Sequence, residues 1–353
     1  MRQAYSNPSS WTLGFALFVV TLCITPMAFL DGVLVRTVGH ALPVWISVAG
    51  LVNLLGTLLH IALARLCSES GEGGADRAAH VLQGLLLVAG AGLMVSAWVG
   101  LVRSTTLPET PSSVLALLMV SVVVYTILQG AEAAIRVVSI IGVASLATLI
   151  VPLILIGANS RPEVLSPITV VPPEPWALPA LLFAPRGYVI LGALAGPKAL
   201  RSPGPMMGLS AISVTVMGVS LLLGPAVLGW GLARHLTFPF FVATGTVSSV
   251  YFPFHRIEFL VDIVWQLLLT GVVISFLTAA LRLLGDSLRP RTVDWRAVSV
   301  GAAALLISTA KPTVATSTSL FTAWSVLGLM AFIALPGLLY LGRLLPLPRT
   351  RSA

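Results

Sequence analysis

The sequence predicts an all-α polytopic membrane protein of about ten transmembrane helices, and three observations predict it. Of the 353 residues, 57% are hydrophobic and only 9% charged, where a soluble domain carries about 25% charged residues. So little polar surface cannot cover a globule of this length in water. Apolar runs of about 20 residues recur along the whole chain, each long enough to cross a hydrocarbon core of about 30 Å. Two of these runs, "CITPMAFLDG" and "LLFAPRGY", are interrupted by proline at the same ordinal place in the two halves of the chain. Matching interruptions are the mark of an inverted-repeat transporter with a site near the membrane midplane.

The spans fall at 11–34, 42–65, 80–102, 112–130, 135–157, 177–196, 206–230, 257–284, 296–310 and 319–341. A short polar tail, "MRQAYSNPSS", leads into the first with no cleavable signal segment ahead of it. The ninth is short and Ala-rich. Connections are short and no soluble domain is inserted, so 1–353 forms a single integral membrane domain, with a first repeat at about 11–157 and a second at about 177–341. The longest connections, 158–176 and 231–256, lie on one side; the first is Pro-rich and expected to be extended, ending in Trp176 at the interface.

Charge sets the orientation. Thirteen of the 20 Lys and Arg fall on the side of the termini, six on the opposite side, and Arg186 inside a span. The positive-inside rule then places both termini in the cytoplasm. The net charge of +8 is dispersed singly through loops, without the basic run and interleaved aromatics that nucleic acid requires. Cys23 and Cys67 are isolated and suggest neither a disulfide nor a metal site. The five histidines lack metal-ligand spacing. Glu258 and Asp262 share a helix face with nothing to place a substrate between them, and no nucleophile elbow is present. The chain is expected to be no enzyme and to need no cofactor.

At the two interruptions proline removes a backbone donor and crowds the preceding turn. Backbone groups freed at membrane depth persist only where protein or a water-lined cavity satisfies them. Half-helix N-termini would there present amides to a ligand carboxylate. The expected site lining is therefore Thr25, Pro26 and Met27 from the first break, and Ala184, Pro185, Arg186, Gly187 and Tyr188 from the second. A charge at the bilayer centre costs at least about 2.5–3.5 kcal/mol on insertion scales, so it faces a cavity or a partner. Arg186 is the most deeply placed charge, and Asp31 is positioned to pair with it. Asp262 stands about five residues into the eighth span, suited equally to an ion or to a pair with Arg256 or His255. The plainer alternatives are two unrelated packing kinks and an Arg186 that snorkels to the interface.

The segment 107–142, "LPETPSSVLALLMVSVVVYTILQGAEAAIRVVSIIG", resembles the spore germination permeases, the B subunits of nutrient germinant receptors. The resemblance rests on Leu107, Pro108, Thr110 and Pro111, then Tyr125, then Gly130, Glu132 and Arg136. "WISVAGLVNLL", "VLSPI" and "FPFHRIEFLVDIVW" are similar to further family positions, in order along about 11–341. The chain departs from the pattern at both breaks: it has Pro26 and a later Gly32 in place of a Gly-x-Gly in the first helix, and Val189 where the sixth usually carries an acid. The resemblance places the chain in the amino acid–polyamine–organocation superfamily. It implies a LeuT-like 5+5 inverted repeat with broken helices 1 and 6, residence in the inner spore membrane or cell membrane, and binding of a small nutrient such as an amino acid. It also implies germinant receptor A and C subunits as partners, beside membrane lipid. An autonomous amino-acid or organic-cation permease on the same fold is the alternative. Glu132 and Arg136 form an i,i+4 pair, contributing about 0.2–0.5 kcal/mol or docking a partner.

"LPETP" also looks like a cell-wall sorting signal, but such a signal ends in Thr-Gly before one last span. Here the bond is Thr110-Pro111 and seven spans follow. The motif is instead expected to start helix 4, with Thr110 as cap and Pro111 in the first turn. In a chain stripped of Cys23 and Cys67, Glu109→Cys should react with a membrane-impermeant maleimide in intact cells. Ser352→Cys should react only after permeabilisation; the reverse pattern would invert the topology.

Overall fold

The computed structural model describes residues 8–27, 35, 38–70, 74–170, 178, 182–183, 186–195, 197–236, 239–246, 257–285, 294–309 and 314–344. Helix is the only regular structure among them, as hydrocarbon demands of a segment that must satisfy its own backbone. The helices are α1 (Ser10–Met27), α2 (Leu42–Ser70), α3 (Gly74–Thr105), α4 (Ser112–Leu128), α5 (Ala131–Ala158), a one-turn α6 (Leu191–Leu194), α7 (Gly204–Ala233), α8 (Ile257–Leu284), α9 (Trp295–Thr309) and α10. The last runs from Val314–Leu329 through a π-helical turn, Met330–Ala334, into Leu335–Leu344. Six are long and apolar enough to span a membrane, and shorter apolar helices lie within α1, α4 and α9. With the interrupted sixth segment they give the ten predicted elements in order. The chain is an all-α integral membrane protein.

Its two halves match in burial. Of the most apolar stretch of each helix, 67% is buried in α3 and 72% in α8, 44% in α2 and 50% in α7, and 28% in both α5 and α10. Each is a helix and its counterpart five places on. Counterparts also pack on each other: α3 against α8, α2 against α7, and α4 against α9. The centre is built by α1, α3 and α8, where Leu17, Val19, Trp265, Leu268 and Phe276 are excluded from solvent.

Proline inside a span does not by itself break it. Pro152 lies within the continuous α5, and Pro225 within α7, whose kink falls at Gly229 (φ 79°, ψ 151°), a conformation open to glycine. In α10, Pro336 withholds a donor just after the π turn. There the buried Gln83 of α3 donates from Nε2 to the Ala331 carbonyl at 2.8 Å. The sixth segment differs: Leu182 and Phe183 are helical, Arg186 is not, and a 3₁₀ turn, Gly187–Ile190, leads into the single turn of α6.

Several expectations are corrected. Helix 4 does begin at the "LPETP" motif, but Pro111 is its N-cap residue, and no side chain caps it. The Pro111 carbonyl accepts from Val114 N at 3.0 Å and Leu115 N at 3.3 Å. Arg103 braces the turn, donating to Ser112 Oγ and to the Pro108 carbonyl. The connection 158–176 is not simply extended: Pro162–Leu165 form a 3₁₀ turn, and Arg161 N donates to the Ala226 carbonyl. Trp176 lies outside the described residues. Within 231–256 a short helix, Pro239–Thr246, packs on α7 and α8 through Phe240 and Phe241, which face Trp265.

Gln83→Leu removes the buried donor while the Ala331 carbonyl stays in place, so it should cost about 1–3 kcal/mol. Thermal unfolding of the purified chain in detergent checks this; an unchanged midpoint would mean the π turn needs no partner.

Candidate functional site

The site is built where the sixth segment leaves helical geometry. Arg186 has φ −101° and ψ 34°, and Val189 N returns to its carbonyl at 3.1 Å. The backbone here lies directly on α1. A Cβ at Gly187 would overlap Thr21 Oγ1 and sit 3.1 Å from the Leu17 carbonyl, so only glycine allows the approach. The same turn also packs on α2 and α8.

Arg186 is fully buried at 0% exposure, which excludes snorkelling. No carboxylate pairs with it among the described residues. Three ring faces surround it: Phe183 and Phe321 at 5.0 Å from Cζ, and Trp324 at 4.3 Å. Phe183 belongs to the sixth segment; Phe321 and Trp324 come from α10. Trp324 is itself fixed by donation from Nε1 to the Leu86 carbonyl of α3 at 2.8 Å. Two glycines create the space. A Cβ at Gly328 would overlap the Phe183 ring, and one at Gly90 would overlap Trp324. Desolvated cation–π contacts contribute about 2 kcal/mol at best, comparable with the insertion cost of the charge. They leave its N–H groups unanswered. Nη1 donates to the Phe183 carbonyl at 3.2 Å, but Nε and Nη2 have no acceptor among the described residues.

Two further buried polar groups here lack partners among the described residues, Thr21 Oγ1 and the Tyr188 hydroxyl. The Tyr188 ring lies against α2, where a Cβ at Gly56 would come within 2.8 Å of it. His60, whose Nδ1 is 2.8 Å from the Gly56 carbonyl, faces the same ring at 5.6 Å between centroids. Unpartnered buried polar atoms are rare in folded proteins and ask for an explanation. Four of the ten among the described residues lie on either side of this one irregular turn.

Of the expected lining residues, Arg186, Gly187 and Tyr188 stand together at this turn, against α1. The backbone of Thr25, Pro26 and Met27 forms the last described turn of α1; their side chains, and Ala184, Pro185 and Asp31, lie outside the described residues. Sequence reading missed Thr21, Phe183, Phe321 and Trp324. Thr21 stands one helical turn before Thr25, a spacing that places both on one face. The α10 rings carried no signal at all. Arg256 and His255, the expected partners of Asp262, lie outside the described residues. Asp262 accepts from Thr105 Oγ1 at 3.2 Å, Thr106 Oγ1 at 3.1 Å and Gln266 Nε2 at 3.0 Å, tying α8 to the end of α3. Glu132 and Arg136 do form their pair, at the exposed start of α5. Among the described residues no three His, Cys, Asp or Glu side chains come together to hold a metal.

No family model matches the chain, and no curated protein sequence does. Among solved structures it is similar to a Na+-coupled sialic acid symporter in a substrate-bound, outward-open state. That likeness has a TM-score of 0.50 at 14% identity and covers 95% of this chain and 78% of the other. At that identity it is a likeness of fold: the chain has the LeuT-like architecture, with its sixth helix interrupted.

A buried cation without a counter-charge is costly, and exchange for a long apolar side chain is often neutral or stabilising. Arg186→Met should therefore melt in detergent at or above the temperature of the parent. A drop of several degrees would make Arg186 a structural residue.

Proposed function

We propose that the chain binds one small organic solute within the membrane at the break of helix 6, and carries it across as an autonomous permease. One observation supports this above others: Arg186, Tyr188 and Thr21 are buried at the break with polar atoms that nothing among the described residues satisfies. A structural turn would be expected to satisfy them, because each unmet group destabilises the fold. The fold adds support, since interrupted helices at the midplane are where inverted-repeat transporters bind solute.

A second reading keeps the solute site and changes its output. The segment 107–142, with its Leu-Pro-x-Thr-Pro and Gly-x-Glu-x-x-x-Arg patterns, favours a B subunit of a nutrient germinant receptor, resident in the inner spore membrane with both termini cytoplasmic. Occupancy would then shift an equilibrium between helix arrangements, to be read by A and C subunits. Glu132 and Arg136, exposed at the start of α5, are suited to such a partner.

Purified chain in proteoliposomes separates the two. Concentrative uptake of a radiolabelled amino acid by the chain alone is the expected outcome. Binding without uptake, together with loss of nutrient-triggered germination when the gene is deleted from a spore former, would favour the receptor.

A further inference from the structure

We propose that the solute is an ionised small carboxylic acid, held side-on by Nε and Nη2 of Arg186; this rests on the solute-site reading above. The assignment comes from which donors are committed. A guanidinium offers two forks, and the one made by Nε–H and the outer Nη2–H lies along a single edge of its plane. In Arg186 the remaining nitrogen, Nη1, is used by the Phe183 carbonyl, and both donors of the side-on edge are unpartnered among the described residues. Two parallel N–H groups in one plane match the two oxygens of a carboxylate. Ring faces cannot replace that match. Phe183, Phe321 and Trp324 answer the positive charge without supplying lone pairs to an N–H edge.

Charge balance narrows the class further. Arg186 is enclosed by apolar rings and has no ion-pair partner among the described residues. A monocarboxylate brings the enclosure to neutrality, whereas a phosphate dianion would leave it net negative and an organic cation would double its charge. Unpaired charge in such surroundings is strongly disfavoured. Simple monocarboxylates therefore fit best from the broader permease class; an amino acid fits through its carboxylate but brings an ammonium that needs an acceptor of its own, and organic cations drop out. The unpartnered Thr21 hydroxyl, against Gly187 on the α1 side of the same turn, offers a further hydrogen bond to the solute.

The two donors are sealed in this conformation. A solute reaches them only when the packing around the guanidinium parts, and the rings that come from outside the sixth segment, Phe321 and Trp324, both ride on α10. Loading thus requires α10 to move from the break, and the carboxylate substitutes for ring contacts that Arg186 gives up.

The test uses the full chain in detergent, read by thermal shift and by equilibrium binding. The probes are the common L-amino acids and the linear monocarboxylates from acetate to hexanoate. Each is matched by its amide, and each amino acid also by the amine left when its carboxylate is removed. The expected result is that every binder falls in the acid arm and that its amide and amine bind at least tenfold more weakly. This comparison needs no variant. Arg186→Lys, which keeps the charge but loses the fork, should weaken the best acid at least tenfold, and Arg186→Gln should abolish its binding. An amide or amine that binds as tightly as its acid overturns the carboxylate assignment and leaves the solute site standing. Failure of every probe in all three arms overturns both.

Discussion

The constraint on which this structure depends is that a peptide group in hydrocarbon must find its hydrogen bond within the protein. It explains why helix is the only regular structure among the described residues, and why prolines inside α5, α7 and α10 are absorbed with the helix continuing. Where the ladder loosens, a specific group steps in or the backbone finds a local solution. Gln83 reaches the Ala331 carbonyl at the π turn, and Gly229 takes a conformation that few other residues allow. The break at Arg186 stands apart from these. Its backbone is re-closed by a 3₁₀ turn, yet its side chains are left with polar atoms unmet. Four unmet polar atoms on three residues around one turn, two of them on a buried cation, are what separate a site from a kink.

Much of the architecture was legible in the sequence because it is written in long apolar runs, which length and hydrophobicity alone reveal. Ten elements appear in the expected order, and even the short α9 is present. Boundaries were less visible where polar residues continue a helix past the apolar stretch, as α2 does to Ser70 and α3 does from Gly74. The short helix Pro239–Thr246 was read as part of a connection because eight residues carry too little periodicity to separate helix from loop.

The site was only half legible, for a physical reason. Mid-span proline and a lone arginine are local signals, and they led to Arg186, Gly187 and Tyr188. The aromatic enclosure is assembled from helix 6 and from α10, 135 or more residues later in the chain, and nothing local in Phe321 or Trp324 marks them as partners of a cation. The glycines opposite them, Gly90 and Gly328, are equally silent, being useful only once two helices meet. The hydrogen bonds of Asp262 were hidden for the same reason: packing of α8 on α3 supplies two threonine hydroxyls from 156 or more residues earlier in the chain.

The π turn in α10 has a consequence for how that helix is numbered in space. A π turn holds one residue more than the α turn it replaces, so every side chain beyond it is rotated by about 100° from the position a regular helix would give it. Phe321 and Trp324, before the turn, and Leu338 and Leu341, after it, therefore belong to two different angular frames on one continuous rod. The first pair points at the arginine while the second is exposed on the outside of the bundle. Removing any one residue of Met330–Ala334 would restore a regular helix and bring the frames into line. It would also turn one half of α10 out of its packing, leaving either the cage or the outer surface with the wrong face.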